Sequence, residues 1–140
     1  MTLSGRVLAL DPGSKRVGVA LSDTARTMAF PRPALTAGDG LVSAVVSLVE
    51  EDEVSLVVVG LPRSLSGAEG TSATLARALA TSLAEALAPQ GVGVEVHDER
   101  LTTVQASRAL KAAGRSARSQ KGSVDSAAAT VLLESWMAGG

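Results

Sequence analysis

Apolar and polar residues follow strand-like patterns near the start of the chain. Residues 6–11 (RVLALD) form a short, mainly apolar run, PGSKR interrupts it, and VGVALSD continues it. Two such runs joined by a short turn with Pro and Gly predict a β-hairpin. A third strand is predicted around residues 28–36, where Pro31 and Pro33 each remove a backbone donor and so favour the edge of the sheet.

The middle of the chain alternates between helical and strand patterns. Apolar residues recur at helical spacing over residues 41–49, and Asp39 is expected to cap this helix. Residues 55–61 (SLVVVGL) form a continuous run rich in valine and leucine, typical of a strand buried on both faces of a parallel sheet. Residues 71–88 are rich in alanine and predict a second helix. The buried stripe of that helix is predicted to contain Leu75, Leu79, Leu83 and Leu87.

The last third of the chain predicts one more strand and two more helices. The strand is expected at residues 92–97, and the helices at residues 102–113 and 124–138. The inward face of the last helix is predicted to contain Val124, Ala128, Val131 and Leu132. This order of elements indicates a mixed α/β fold, in which helices flank a five-stranded sheet and right-handed crossovers join the parallel strands.

Composition limits the number of domains and the kinds of site. A chain of 140 residues with 46% hydrophobic and 19% charged residues has the size of one domain, residues 1–140. It contains no cysteine, and its single histidine, His97, cannot form a zinc site alone. No apolar run approaches the roughly 20 residues that a membrane-spanning helix needs. We therefore expect a cytoplasmic protein without a membrane partner, in which oxygen atoms hold any metal ion.

Positive and negative charges are segregated along the chain, although the net charge is only -1. Residues 50–53 (EEDE) form an acidic cluster, whereas residues 100–121 contain cations and no acid. The basic run is either a solvated surface or a contact with a phosphate backbone. With only Phe30 and Trp136 as aromatic residues, the chain cannot stack several bases. Any recognition of nucleic acid is therefore expected to depend on backbone and shape, with weak sequence specificity.

Three acidic residues stand where predicted strands end or the last helix begins. Asp11 ends the first strand, Glu99 follows the fifth, and Asp125 begins the last helix. Singly, each has an ordinary explanation: a turn residue, a solvent-exposed charge and a helix cap. Together they supply hard oxygen ligands from separate elements, which a divalent cation working on phosphate needs. If the first, fourth and fifth strands are parallel neighbours, Asp11 and Glu99 meet at their carboxyl edge.

Four segments carry a resemblance to a known family: ALDPGSKRVGVA, VVVGLPRSLSG, HDERLTT and VDSAAATVLLESW. In this order, and in a chain of this length, they resemble the YqgF/RuvX family of Holliday-junction resolvases, also described as pre-16S ribosomal RNA nucleases. The resemblance covers nearly the whole chain, and four motifs in register are more specific than any one of them. It implies a ribonuclease-H-like fold, which agrees with the predicted order of elements.

The resemblance also implies an activity: a divalent-metal-dependent nuclease that processes the 5′ end of pre-16S ribosomal RNA. It assigns Asp11, Glu99 and Asp125 as catalytic residues and as ligands of two Mg²⁺ or Mn²⁺ ions, which would activate water and stabilise the leaving oxygen of a phosphodiester. RNA or branched DNA is the expected partner, bound by a monomer or a homodimer. The residues expected to contact nucleic acid are Lys15, Arg63, Arg100, Arg115, Arg118 and Lys121.

Three alternatives remain open at this point. A Holliday-junction resolvase would use the same acids on branched DNA. A nucleotide-binding or phosphotransfer module is a second alternative, because the segment after the first strand also resembles the phosphate loop of the actin and sugar-kinase superfamily. That superfamily clamps ATP between two domains, whereas this chain has the length of one. A non-enzymatic module that binds RNA or protein is the third, and the presence of all three acids disfavours it.

Overall fold

The computed structural model describes residues 5–13, 15–62, 70–99 and 126–139. The strands in these ranges are β1 (Arg6–Pro12), β2 (Arg16–Ser22), β3 (Ala29–Thr36), β4 (Val54–Leu61) and β5 (Gly93–Asp98). They form one sheet in the order β3-β2-β1-β4-β5. β1 pairs antiparallel with β2 and parallel with β4, and β4 pairs parallel with β5. The predicted hairpin, the edge position of β3 and the parallel neighbours β1, β4 and β5 are confirmed.

The described helices are α1 (Leu41–Glu51), α2 (Thr71–Leu87) and α3 (Ala127–Met137). They agree with three predicted helices except for a few residues at their ends, where assignments commonly differ. The prediction that Asp39 caps α1 is wrong, because Gly40 is the capping residue and α1 has no side-chain cap. The helix predicted at residues 102–113 lies outside the described ranges. None of the described helices is long and apolar enough to cross a membrane.

β1 and β4 contribute side chains to a core on each face of the sheet, because successive residues of a strand point in opposite directions. The face covered by α1 and α2 contains Leu8, Leu10, Val57, Val59 and Leu61. The face covered by α3 contains Val7, Ala9 and Val58. Burial of β4 side chains in both cores confirms that SLVVVGL lies inside the sheet.

The buried face of α2 differs from the predicted leucine stripe. Leu83 and Leu87 are fully buried, but Leu75 is 63% exposed, and Ala73 and Ala76 enter the core instead. Residues four apart advance by about 40° around an α-helix, so three such steps turn the stripe away by roughly 120°. The prediction that Leu75 is buried is wrong for this geometric reason.

The inward face of α3 is only partly the predicted one. The buried residues of α3 are Ala127, Ala129, Val131, Leu132 and Leu133. Val131 and Leu132 confirm the prediction, whereas Ala128 is half-buried and Val124 lies outside the described ranges. The sequence of α3, AAATVLLESWM, is apolar on most sides, so its periodicity does not define the inward face to one residue.

Candidate active site

Asp11 and Glu99 meet at the carboxyl edge of the parallel strands. Asp11 is the penultimate residue of β1, and Glu99 directly follows β5. Their carboxyl groups hydrogen-bond to each other, although β4 lies between the two strands. Both residues are half-buried. Two acids that the sequence placed at separate strand ends therefore form a contacting pair.

The pair lies on the face of the sheet that α3 covers. Val7 and Ala9 of β1 pack in the α3 core, and Asp11 continues that alternation. The odd-numbered residues of β5 also face α3, and Glu99 follows them. The site therefore occupies the end of the smaller core, on the side of the sheet away from α1 and α2.

β5 is attached to α3 by two side-chain hydrogen bonds. The indole N–H of Trp136 donates to Glu95 at 3.1 Å, and the ring Nε2 of His97 is 3.1 Å from the hydroxyl oxygen of Ser135. His97 is buried, and burial is the main cause that lowers its pKa. These contacts give His97 and Trp136 structural roles, because they attach β5 to α3.

Burial, the hydrogen bond with Asp11 and the negative charges of Asp11 and Asp98 raise the pKa of Glu99 to about 9. Glu99 is therefore protonated at neutral pH, and its hydroxyl donates the hydrogen bond to Asp11. Two carboxyl groups in contact do not both ionise without a compensating positive charge, which a proton or a metal cation can supply. Their oxygen atoms are hard donors of the kind that Mg²⁺ and Mn²⁺ prefer. Asp11 and Glu99 thus fit a divalent cation.

The described part of the chain contains two of the three predicted metal ligands. Asp125 lies outside the described ranges. Among the residues that the structure does describe, no group of three or more His, Asp or Glu side chains could hold a metal ion. A complete site therefore needs oxygen ligands in addition to those of Asp11 and Glu99.

The hairpin turn after Asp11 contains the one predicted nucleic-acid contact that lies in the described ranges. Lys15 is exposed in this turn, and its carbonyl oxygen accepts a hydrogen bond from the backbone N–H of Ala37 at 3.0 Å. A Cβ at Gly13 would lie 2.6 Å from the carbonyl oxygen of Arg16, so the turn requires glycine there. Lys15 therefore lies at the same end of the sheet as Asp11. The remaining predicted contacts lie outside the described ranges: Arg63, Arg100, Arg115, Arg118 and Lys121.

Sequence reasoning did not identify Ser126, which fixes the start of α3. Ser126 is fully buried; its hydroxyl accepts a hydrogen bond from the backbone N–H of Val19 at 3.0 Å and donates one to the carbonyl oxygen of Arg32. The hydroxyl thus bridges β2 and β3 where their register shifts, between Val17 and Val19. A serine before an apolar helix predicts an N-cap, but Ser126 makes no cap hydrogen bond. Its partners lie 107 and 94 positions away, beyond the reach of any local pattern.

The chain is similar in sequence to known proteins. The family described as "RuvX: Holliday junction resolvase" matches residues 5–139. A protein of Thermobifida fusca (strain YX), named as a candidate pre-16S rRNA nuclease, is 46% identical over 138 residues, covering 94% of this chain and 86% of that protein.

Two solved resolvases share the fold. T. thermophilus RuvC in complex with Holliday junction substrate has a TM-score of 0.60 at 14% identity, covering 95% of this chain and 96% of that one. Fowlpox virus resolvase with Holliday junction DNA has a TM-score of 0.62 at 11% identity, covering 96% and 97%. The predicted ribonuclease-H-like sheet flanked by helices is confirmed by this likeness. On its sequence, the chain belongs to the RuvX Holliday junction resolvase family.

Proposed function

We propose that this member of a nuclease family hydrolyses phosphodiester bonds with divalent metal ions held by Asp11, Glu99 and Asp125. The observation that carries the proposal is the contact between the Asp11 and Glu99 carboxyl groups at the carboxyl edge of β1 and β5. α/β sheets commonly bind their ligands at this edge. Asp125 directly precedes Ser126, the residue that begins α3 on the same face.

Asp11 and Glu99 would each act as a ligand of the metal ions. Two Mg²⁺ or Mn²⁺ ions, when bound, would supply the activation of water and the stabilisation of the leaving oxygen. Asp11 offers carboxylate oxygens from a strand whose backbone is fixed on both sides by β2 and β4. Glu99 must release its proton before both of its oxygens can act as ligands, because a protonated carboxyl group is a poor ligand. Cation binding is therefore expected to displace a proton from the pair.

The substrate we propose is the 5′ end of pre-16S ribosomal RNA. The name of the Thermobifida fusca relative supports it. The family description and the junction-bound neighbours support a four-way DNA junction as the second candidate. We propose that Lys15, which is exposed in the turn after the strand that carries Asp11, contacts a phosphate of either substrate. We further propose that the chain works in the cytoplasm as one ribonuclease-H-like domain, either as a monomer or as a homodimer.

The test is cleavage of end-labelled precursor RNA and of a four-way DNA junction with Mn²⁺, Mg²⁺ or EDTA. Wild type, Asp11→Asn and Glu99→Gln are compared with Glu85→Gln, a matched change on α2 across the sheet. We expect cleavage only with metal and a loss of more than about 100-fold in both site variants, since outer-shell partners of a metal alone are worth 10–100-fold. Glu85→Gln should cut normally.

Other outcomes separate the alternatives. Folded Asp11→Asn protein that cuts like wild type would contradict the assignment of the site. Binding of RNA without cleavage by wild type would favour the non-enzymatic module. A rise in melting temperature with ATP would favour the phosphotransfer module, because a ligand of the folded state stabilises it.

A further inference from the structure

The contact between Asp11 and Glu99 has to span a strand. Neighbouring strands in a sheet lie about 4.8 Å apart, so β1 and β5, separated by β4, lie roughly 10 Å apart. The carboxyl groups nevertheless hydrogen-bond to each other. Glutamate is longer than aspartate by one methylene group. The Glu99 side chain therefore extends across β4 to reach Asp11.

Gly60 is the β4 residue over which Glu99 passes. It pairs with His97 of β5, and the preceding Val59 pairs with Leu10 of β1, so Gly60 lies level with Asp11. A Cβ at Gly60 would point toward the α3 face, as the side chain of Val58 does. It would lie 2.9 Å from Cδ, 3.1 Å from Cγ and 3.1 Å from Oε1 of Glu99. The closest of these atoms is the carboxyl carbon, so relieving the overlap moves the carboxyl group itself.

The need for glycine at position 60 arises from Glu99 rather than from the backbone. Gly60 does not have a positive φ, so its backbone conformation accepts an alanine. Gly93, on the adjacent strand β5, is a useful contrast: among the described residues, its added Cβ would meet only Cδ1 of Leu56, at 3.4 Å, an ordinary contact. At Gly60 all three nearest atoms belong to the Glu99 side chain.

We propose that Gly60 is a positioning residue of the site, whose missing side chain leaves the passage through which Glu99 crosses β4 to Asp11. Gly60 touches no substrate and acts through Glu99. The metal-binding consequence rests on the proposed function, because it takes Glu99 as a ligand. The crossing itself is a property of the fold.

The first measurement is Mn²⁺ binding by calorimetry without nucleic acid, for wild type, Gly60→Ala and the control Gly93→Ala. Because displacing an outer partner of a metal site typically costs 10–100-fold in affinity, we expect Gly60→Ala to weaken Mn²⁺ binding by at least about 10-fold. Gly93→Ala should bind as wild type does. Wild-type affinity in folded Gly60→Ala protein would overturn the proposal.

The second measurement is a double-mutant cycle of melting temperature in EDTA, which needs no metal. Gly60→Ala is expected to lower the melting temperature when Glu99 is present and to leave it unchanged or higher in the Glu99→Ala background. If Gly60→Ala alone fails to fold, folding of Gly60→Ala/Glu99→Ala supports the proposal. If Gly60→Ala lowers the melting temperature equally with and without Glu99, or if neither Gly60→Ala nor Gly60→Ala/Glu99→Ala folds, the proposal is overturned. If the wild-type protein neither binds Mn²⁺ nor cuts, the proposed function is contradicted. The melting temperatures of the cycle would still test the role of Gly60, because they are measured in EDTA.

Discussion

The two faces of the sheet are supplied by the same strands but differ in the size and polarity of their side chains. On the face covered by α1 and α2, β1 and β4 present Leu8, Leu10, Val57, Val59 and Leu61. On the face covered by α3 they present Val7, Ala9, Leu56 and Val58, with Asp11 and Gly60 at the carboxyl edge. Toward the carboxyl edge, the first face ends in a buried leucine, whereas the second ends in a carboxyl group and a glycine.

This difference separates the residues that stabilise the fold from those that form the site. Branched side chains on the first face fill the space under two helices and exclude water. Small residues on the second face leave room for Glu99 to cross the sheet and meet Asp11. A contact between two acids opposes folding unless a proton or a cation compensates it. Truncating a buried side chain of the first face and replacing an acid of the pair should therefore alter stability in opposite directions.

The largest expected loss of stability comes from truncating the first face. Leu10→Ala removes a fully buried side chain and should lower the free energy of unfolding by about 2–5 kcal/mol. Leu75→Ala is the matched control, because Leu75 is 63% exposed, and it should stay within about 0.5 kcal/mol of wild type. Urea unfolding in EDTA measures both. Equal effects of the two substitutions would contradict the assignment of this face as the main core.

Replacing an acid of the pair should have the opposite sign. The pKa of Glu99 is about 9 in the folded protein against an ordinary value of 4.5, so between these pH values the unfolded chain releases a proton that the folded protein keeps. Metal-free stability therefore falls as pH rises through this window. Glu99→Gln is neutral at every pH and its amide can still donate to Asp11. It should be more stable than wild type by on the order of a few kcal/mol at pH 8.

Thermal unfolding of Glu99→Gln and wild type in EDTA at pH 5, 6.5 and 8 measures this effect. The stabilisation should be small at pH 5 and grow at each step, and the exposed change Glu85→Gln should show no such trend. Saturating Mn²⁺ should stabilise wild type more than Glu99→Gln, since a ligand that binds only the folded state adds stability. A difference that is constant with pH would contradict the protonated pair.

A third change tests how the second face is attached to the sheet. Ser126→Ala removes the hydroxyl that bridges Val19 and Arg32 and leaves the buried N–H of Val19 without this partner. A buried polar group without its partner costs about 1–3 kcal/mol. Ser43→Ala on the exposed side of α1 is the control and should cost nothing. Because Ser126 adjoins Asp125 in the chain, cleavage should fall together with stability; an unchanged unfolding midpoint would contradict the bridging role.

Much of the fold follows from the sequence because its signals are local and strong. The run SLVVVGL specifies an inner strand, and the Asp-Pro-Gly turn specifies a hairpin, since neither depends on distant residues. The placement of Asp11 and Glu99 at one edge follows from topology alone, because the carboxyl ends of the parallel strands of a sheet share an edge. This part of the site could be predicted before any distance was known.

The remainder depends on contacts between residues far apart in the chain. The buried face of α2 is determined by the elements that the helix packs against. Leucines spaced four residues apart do not identify this face. The partners of Ser126 lie on two strands in the first quarter of the chain. Gly60 looks like an ordinary strand-end glycine until the path of Glu99 across it is known. Such features require three-dimensional placement, because no periodicity encodes them.

The smallest expected effect comes from an acid at the other end of the sheet from the pair. Asp23 accepts hydrogen bonds from the backbone N–H groups of Thr27 and Met28, at 2.7 and 3.0 Å, and from the Thr27 hydroxyl at 2.7 Å. These bonds, led by that from Met28, lower the pKa of Asp23 from 3.8 to about 2. The charged form is favoured by folding, so its contribution is present above pH 4 and is lost as pH falls toward 2.

Asp23→Asn should therefore lower the melting temperature slightly at pH 6, and the difference from wild type should shrink as the pH falls toward 2. Asp39 is an exposed acid, so Asp39→Asn is the control and should change little across this range. Glu99→Gln stabilises the metal-free protein as pH rises, because the Glu99 carboxyl group contacts another acid. Asp23→Asn destabilises the protein, because the Asp23 carboxyl group accepts three hydrogen bonds. The same sign for both substitutions at pH 8 would contradict the view that carboxyl groups support the fold only outside the site.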